Sequence, residues 1–148
     1  MPSLVDDITT GARAESDVWT AALRSAPDWE PVFSTLVPDD LALGLETVYE
    51  AYLVHYGKPR LFATTDRDES VLLGDYLYAH GLVRIAEVGG VAAVAVMAEL
   101  ISRCAALRAD VAAGDGDAWV DAARALGGSP EEDAVSLALA AHSARVAP

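Results

Sequence analysis

Metal-assisted or acid–base chemistry needs carboxylates, imidazoles or thiolates spaced so that they converge, and few groupings in this chain come close. Two acidic pairs occur, Asp6-Asp7 and Asp39-Asp40, but Thr10 and Leu43 stand where an Asp-Asp-x-x-Asp cluster would place its last carboxylate. Both pairs read as first-turn helix acids that oppose the helix dipole. Asp66, Asp68 and Glu69 precede Val71, and that position points to dipole stabilisation ahead of general acid or base work. His55, His80 and His142 are widely separated and form no His-x-x-x-His pair, so they read as packed or solvated helix histidines. Asp115-Gly116-Asp117 begins like a calcium loop and lacks the later oxygen ligands and terminal glutamate, which makes it a helix connector. Gly-x-Ser-x-Gly and glycine-rich phosphate loops do not occur. No residue is assigned as catalytic and none as a metal ligand.

The overall charge narrows the partners. With Asp+Glu 23 against Lys+Arg 10, the net charge is −13, which repels a phosphate backbone, and nucleic acid is not an expected partner. Lys58 is the single lysine, a poor supply of cations for gripping diphosphates. Cys104 is the single cysteine, which excludes an internal disulfide and points to a reducing, cytoplasmic setting. Asp6 and Asp7 stand where a targeting segment would carry basic residues. The longest apolar stretch, Val88 to Ala98, lies between Glu87 and Glu99 and is shorter than the roughly 20 residues a bilayer span takes. No transmembrane segment is expected.

Helices must position these side chains. At 148 residues and 53% hydrophobic composition the chain can bury a generous core. Alanine and leucine dominate over β-branched and aromatic residues, which favours an all-α domain. About six helical stretches are predicted. The first follows Ser3 as N-cap, places Leu4, Ile8, Ala12, Val18, Trp19, Ala22 and Leu23 largely on one face, and stops at Pro27. A short piece covers Trp29 to Leu36. Pro38, Asp39 and Asp40 open a helix that runs to Tyr56 with an apolar stripe of Leu41, Leu45, Val48, Tyr52 and His55. Thr65 and Asp68 look like a capping-box variant for a helix closed by Gly89-Gly90.

The next helix runs from Val91 to about Ala113 and is apolar nearly all round through Met97, a pattern that means burial on several sides at the centre of the domain or at an interface. Asp117 to Leu126 forms the following helix. Ser129-Pro130-Glu131-Glu132 starts the last one, with cap, N1 proline and first-turn acids, and it fades at Pro148. Short joins imply antiparallel neighbours, hence a single antiparallel helical bundle over 1–148. Trp19 and Trp29, in a 1–40 extension, suit either the core or an interface.

The run Gly57-Lys58-Pro59-Arg60-Leu61-Phe62, followed by Val71-Leu72-Leu73-Gly74-Asp75-Tyr76-Leu77-Tyr78-Ala79, resembles a segment of the trans-isoprenyl (polyprenyl) diphosphate synthases. Leu100 to Leu107 looks like the following helix of that family. Ala122 to Glu132 resembles its Ala-rich helix, glycine turn and Pro-Glu-Glu start. The resemblance covers roughly Leu41 to the carboxyl terminus and implies a partial isoprenoid-synthase-like bundle over 41–148, with 1–40 as added helices.

The family's two aspartate-rich Mg²⁺ clusters and its Gly-Gly-Lys-Arg-x-Arg-like diphosphate element are missing: Tyr52-Leu53-Val54-His55 runs straight into Tyr56-Gly57-Lys58-Pro59. Loss of the metal ligands removes the means of ionising an allylic diphosphate. The resemblance therefore implies a non-catalytic small subunit of a heterodimeric synthase, binding no cofactor itself, with Mg²⁺ confined to a catalytic large subunit. Its role would be to stabilise that partner and set product chain length, with Tyr52, Leu72, Tyr76 and Tyr78 lining the product tunnel. Cys104 lacks the Cys-x-x-x-Cys pairing of some small subunits, which points away from the plant geranyl-forming group toward the bacterial long-chain type. A stand-alone isoprenoid or lipid binder and a homodimeric interaction module are the alternatives.

Overall fold

A computed structural model describes residues 3–147. They form six α-helices: α1 (Leu4–Glu15), α2 (Asp17–Ala22), α3 (Ala42–Tyr56), α4 (Arg67–Ala109), α5 (Asp115–Ala125) and α6 (Glu132–Val146). Two 3₁₀ turns, Ser34–Leu36 and Asp39–Leu41, precede α3. The all-α expectation holds.

The centre is α3. Eleven of its fifteen residues, Gly44 through Val54, are buried. The first half of α4 runs antiparallel to it at close range, and the approach depends on glycine. A Cβ on Gly44 would meet Ile85 Cδ1 at 2.8 Å, one on Gly81 would meet Val48 Cγ2 at 2.6 Å, and one on Gly74 would strike the His55 ring. The three contacts share one antiparallel register, and missing side chains are what let the two helices touch along it.

Residues 3–40 belong to the same body. Ser3 caps α1 through the Asp6 N–H, and Asp6 bonds back to the Ser3 N–H, a reciprocal capping box. The single first helix expected from the sequence is instead broken at Ser16, whose extended backbone (φ −164°, ψ 143°) ends α1 and whose hydroxyl accepts from Val18 N to start α2. A serine able to cap competes with helix continuation, and here it wins. Residues 29–33 are irregular where a helical piece was expected, and only Ser34–Leu36 turns. Backbone bonds from Arg24 N to Leu61 O, Asp28 N to Arg60 O and Ala63 N to Ala22 O tie this segment to the loop after α3. Ile8, Ala12, Ala22, Val32, Phe33 and Leu36 are all core residues.

Other boundaries shift for local reasons. Asp66, not Thr65, caps α4 by accepting from Glu69 N, while Thr65 donates to the Glu69 carboxylate. Residue 131 is the N-cap of α6, so Ser129-Pro130 lies outside the helix and supplies no side-chain cap. The helix α5 starts at Asp115, two residues earlier than expected. Pro148, the expected end of α6, lies outside the described residues.

Helix α4 spans 43 residues with one non-helical position, Gly90 (φ 66°, ψ −161°), where the Gly89-Gly90 break was expected. Beyond it the all-round burial read from the sequence is not realised. Ala93, Met97, Leu100 and Cys104 face the core, while Val91 is 87% exposed and Ala95, Ala98, Ser102, Ala105 and Ala109 face outward.

Candidate functional site

Two buried polar networks hang on α3, and each takes a residue from a loop or a later helix. In the first, Glu46 and Glu50 lie one turn apart and meet the guanidinium of Arg60; all three are fully buried. Arg60 Nη1 stands 2.5 Å from Glu46 Oε2 and Nε stands 2.9 Å from Glu50 Oε1. The carboxylates also accept backbone donors, Val32 N and Ser34 N on Glu46, Arg60 N and Leu61 N on Glu50. The Arg60 guanidinium sits over the Trp29 ring at 4.2 Å and the Tyr49 ring at 5.0 Å. Burial alone would lower the Arg60 pKa, but the charges of Glu46 and Glu50 outweigh it and push the value up. The network fixes the loop after α3 and the segment before the first 3₁₀ turn in one place.

The second network joins four helices. Asp115 Oδ2, at the start of α5, accepts from Tyr52 Oη at 2.5 Å, Arg108 Nη2 at 2.8 Å and His142 Nε2 at 3.0 Å, while Oδ1 accepts from Gly116 N. A carboxylate only accepts, so the His142 nitrogen facing it carries hydrogen. The other ring nitrogen, Nδ1, meets the Tyr49 hydroxyl at 2.8 Å. Arg108 Nε donates to Tyr52 Oη at 2.8 Å. Partial burial would raise the Asp115 pKa, yet the hydrogen bonds from His142 and Tyr52 and the charges of His142 and Arg108 hold it well below the usual carboxylate range. Burial raises both tyrosine hydroxyls, and for Tyr52 the bond to Asp115 adds to the shift.

The Tyr49–His142–Asp115 chain has the order of a proton relay, but Tyr49 is 0% exposed and its hydroxyl ends among Phe33, Trp119 and His142. The chain holds α3, α5 and α6 together, with the Tyr49 end sealed and the Asp115 end 16% exposed beside Arg108. Neither network was assigned from the sequence. The signal for the first was present: two glutamates at i, i+4 amid Leu45, Val48, Tyr49 and Leu53 demand a buried cation. His142 and Asp115 carried no such signal, because only the fold brings them together.

The four residues assigned to the product tunnel fall in separate surroundings. Tyr52 is in the core with its hydroxyl in the Asp115 network. Tyr76 is half-buried, stacked on Trp19 at 6.1 Å and His80 at 5.5 Å. Tyr78 packs edge-on against His55 at 5.2 Å. Leu72 is 61% exposed.

Open depressions mark the surface of the described residues. One of about 400 Å³ lies between α4 and α5, over Val96, Leu100 and Ala122. One of about 540 Å³ is lined by His55, Tyr56, Arg67 and Ser70. One of about 260 Å³ lies between Thr35–Pro38 and Gly127–Pro130. None of the three is lined by any of the four tunnel residues. Among the described residues no group of three or more His, Cys, Asp or Glu side chains converges as a metal ligand set would.

The most distinctive surface is α4 itself. By length and composition it is apolar enough to cross a membrane, and only 22% of its most apolar 18-residue window is buried. The sequence estimate bounded that apolar run by Glu87 and Glu99, and the helix continues past both, kinked at Gly90. Val71, Leu72 and Val83 are exposed in the first half at 44%, 61% and 55%, and Val91 in the second. Comparisons with protein-family models, curated proteins and solved structures gave no match for this chain.

Proposed function

We propose that the chain is a non-catalytic small subunit of a heterodimeric polyprenyl diphosphate synthase, docking on a catalytic large subunit through the outward face of the first half of α4. The observation that carries the reading is Leu72, 61% exposed and flanked by the exposed Val71 within the segment that resembles the family. A large apolar side chain in water on a well-packed helix is a natural anchor for a partner's pocket. The ionisable groups that might do chemistry are spent on holding helices together. In this reading Mg²⁺ and diphosphate belong to the catalytic chain, and Leu72 and Tyr76 reach it as the residues that shape product length.

The test is co-expression with a full-length polyprenyl synthase that carries both aspartate clusters, from the same genome. The two chains should co-purify, and product length or yield should differ from that of the large subunit alone. Leu72→Glu should abolish both effects while leaving the circular dichroism of the isolated small subunit unchanged. Identical products with and without this chain, and no co-purification, would remove the proposal.

A further inference from the structure

We propose that the depression between the end of α3 and the start of α4 is a binding site for a small monocarboxylate with an apolar body, gripped by Arg67. Its volume, about 540 Å³, falls within the roughly 300–1,000 Å³ of small-molecule sites. Val54, His55 and Tyr56 line it from α3, and Arg67, Ser70 and Val71 line it from α4. Two valines and an aromatic ring beside a few polar groups match the composition of a ligand pocket. Arg67 is the one permanently charged residue of that lining, in a chain of net charge −13.

Each polar group keeps bonding capacity that the fold does not use. Arg67 is exposed and has no carboxylate within ion-pair distance among the described residues. Two neighbouring acids are turned elsewhere: Asp66 accepts from Glu69 N, and the Glu69 carboxylate accepts from the Thr65 hydroxyl. His55 is fixed by its Nε2–Cδ2 edge, which faces Gly74, with Nε2 at 3.2 Å from the Val71 carbonyl. A carbonyl only accepts, so Nε2 carries hydrogen. Nδ1, across the ring from that edge, has no partner among the described residues. Ser70 Oγ donates to the Asp66 carbonyl and meets the Thr64 hydroxyl, which leaves it a lone pair.

These groups select the ligand. A guanidinium presents two parallel N–H donors to a carboxylate. One such fork balances one negative charge, whereas a phosphate or diphosphate would bring uncompensated charge into an acidic molecule. The dipole of α4 is already answered by Asp68 and Glu69 in its first turn, so the anion rests on the Arg67 side chain and not on helix amides. His55 Nδ1 and the Ser70 lone pair call for a donor, which a hydroxyl beside the carboxylate supplies. Val54, Val71 and the Tyr56 ring take the apolar body. Phenyllactate, an aromatic hydroxy acid, has all three parts. Neither Leu72 nor Tyr76 lines the depression, so the site stands apart from heterodimer docking.

In NMR titrations of the isotope-labelled full-length chain, phenyllactate should give saturable shifts at the Arg67, Ser70 and Val71 amides and at His55 Nδ1. Phenylpropionate, which lacks the hydroxyl, should bind several-fold more weakly and leave Nδ1 unmoved. Phenylethanol, which lacks the carboxylate, should not saturate. Arg67→Met should weaken phenyllactate binding about tenfold or more. Arg67→Lys should weaken it less, because a point charge keeps the attraction and loses the fork. Helical content should stay unchanged in both variants, since Arg67 is already in solvent. No saturable binding of either carboxylate at millimolar concentration would overturn the proposal, as would parent-like binding by Arg67→Met. Phenylethanol binding as well as phenyllactate, shifts confined to the depression between α4 and α5, or tighter binding of pyrophosphate would overturn it too. The titration uses this chain alone, so a failed co-purification with a synthase leaves its result untouched and the two ideas fail separately.

Discussion

The middle of α3 and the second half of α4 invert the usual distribution of side chains. On α3 two glutamates are 0% exposed, while on α4 a valine is 87% exposed. The charges on α3 are tolerable because a guanidinium and four backbone N–H groups from Val32, Ser34, Arg60 and Leu61 satisfy them. The apolar surface on α4 has no comparable compensation inside the chain. One region is polar and complete, and the other is apolar and open. Internal completeness, more than residue type, separates a structural cluster from an interaction surface.

The comparison breaks most severely if Arg60 is removed. Arg60→Met strands two buried carboxylates and should cost about 3–5 kcal/mol, read from urea unfolding. Replacing Glu46, Glu50 and Arg60 together by apolar residues of like size often restores stability in other buried ion clusters. Here it should not, because the backbone donors held by the two carboxylates would be left unpaired at about 1–3 kcal/mol each. A triple variant as stable as the parent would show that the backbone bonds contribute little.

The next effect is at Asp115. Its folded pKa is held below the ordinary value, so the carboxylate contributes stability that is full above about pH 4 and lost as pH falls from there toward the folded value. Asp115→Asn should cost about 1–3 kcal/mol at neutral pH. The gap from the parent should narrow steadily below about pH 4, measured by denaturant midpoints across that range. A constant gap would mean that the carboxylate's charge does not matter and that the network holds by shape alone.

The smallest effect belongs to the open region. Val91→Ser should change monomer stability by less than about 0.5 kcal/mol, since the side chain loses no burial. A larger loss in thermal unfolding at high protein concentration that disappears on dilution would place the missing contacts between chains, which sharpens the contrast with Arg60.

Much of the architecture was legible before the coordinates. The Ala- and Leu-rich composition set the helical class, Ser3 and Asp6 set the first cap, and Gly89-Gly90 marked the one interruption of α4. The local chemistry of glycine, serine and proline is strong enough to be read in place. Ser16 was misread because a capping serine inside an amphipathic run gives the same pattern as a continuous helix until its backbone is seen. Glu46 and Glu50 announced a buried cation that only the loop at Arg60 could identify. Tyr52, assigned to a tunnel by resemblance, donates its hydroxyl to Asp115, a contact that nothing in the local sequence specifies.

The sequence by itself determined helix content, most helix ends and the acidic character of the surface, because propensity, capping and charge act within a few residues. The tertiary structure alone decided which apolar face of α4 is covered, which carboxylates share Arg60, and how His142 meets Asp115. Those outcomes depend on contacts between residues distant in the chain, and no local periodicity encodes which of two apolar faces finds its partner inside the molecule.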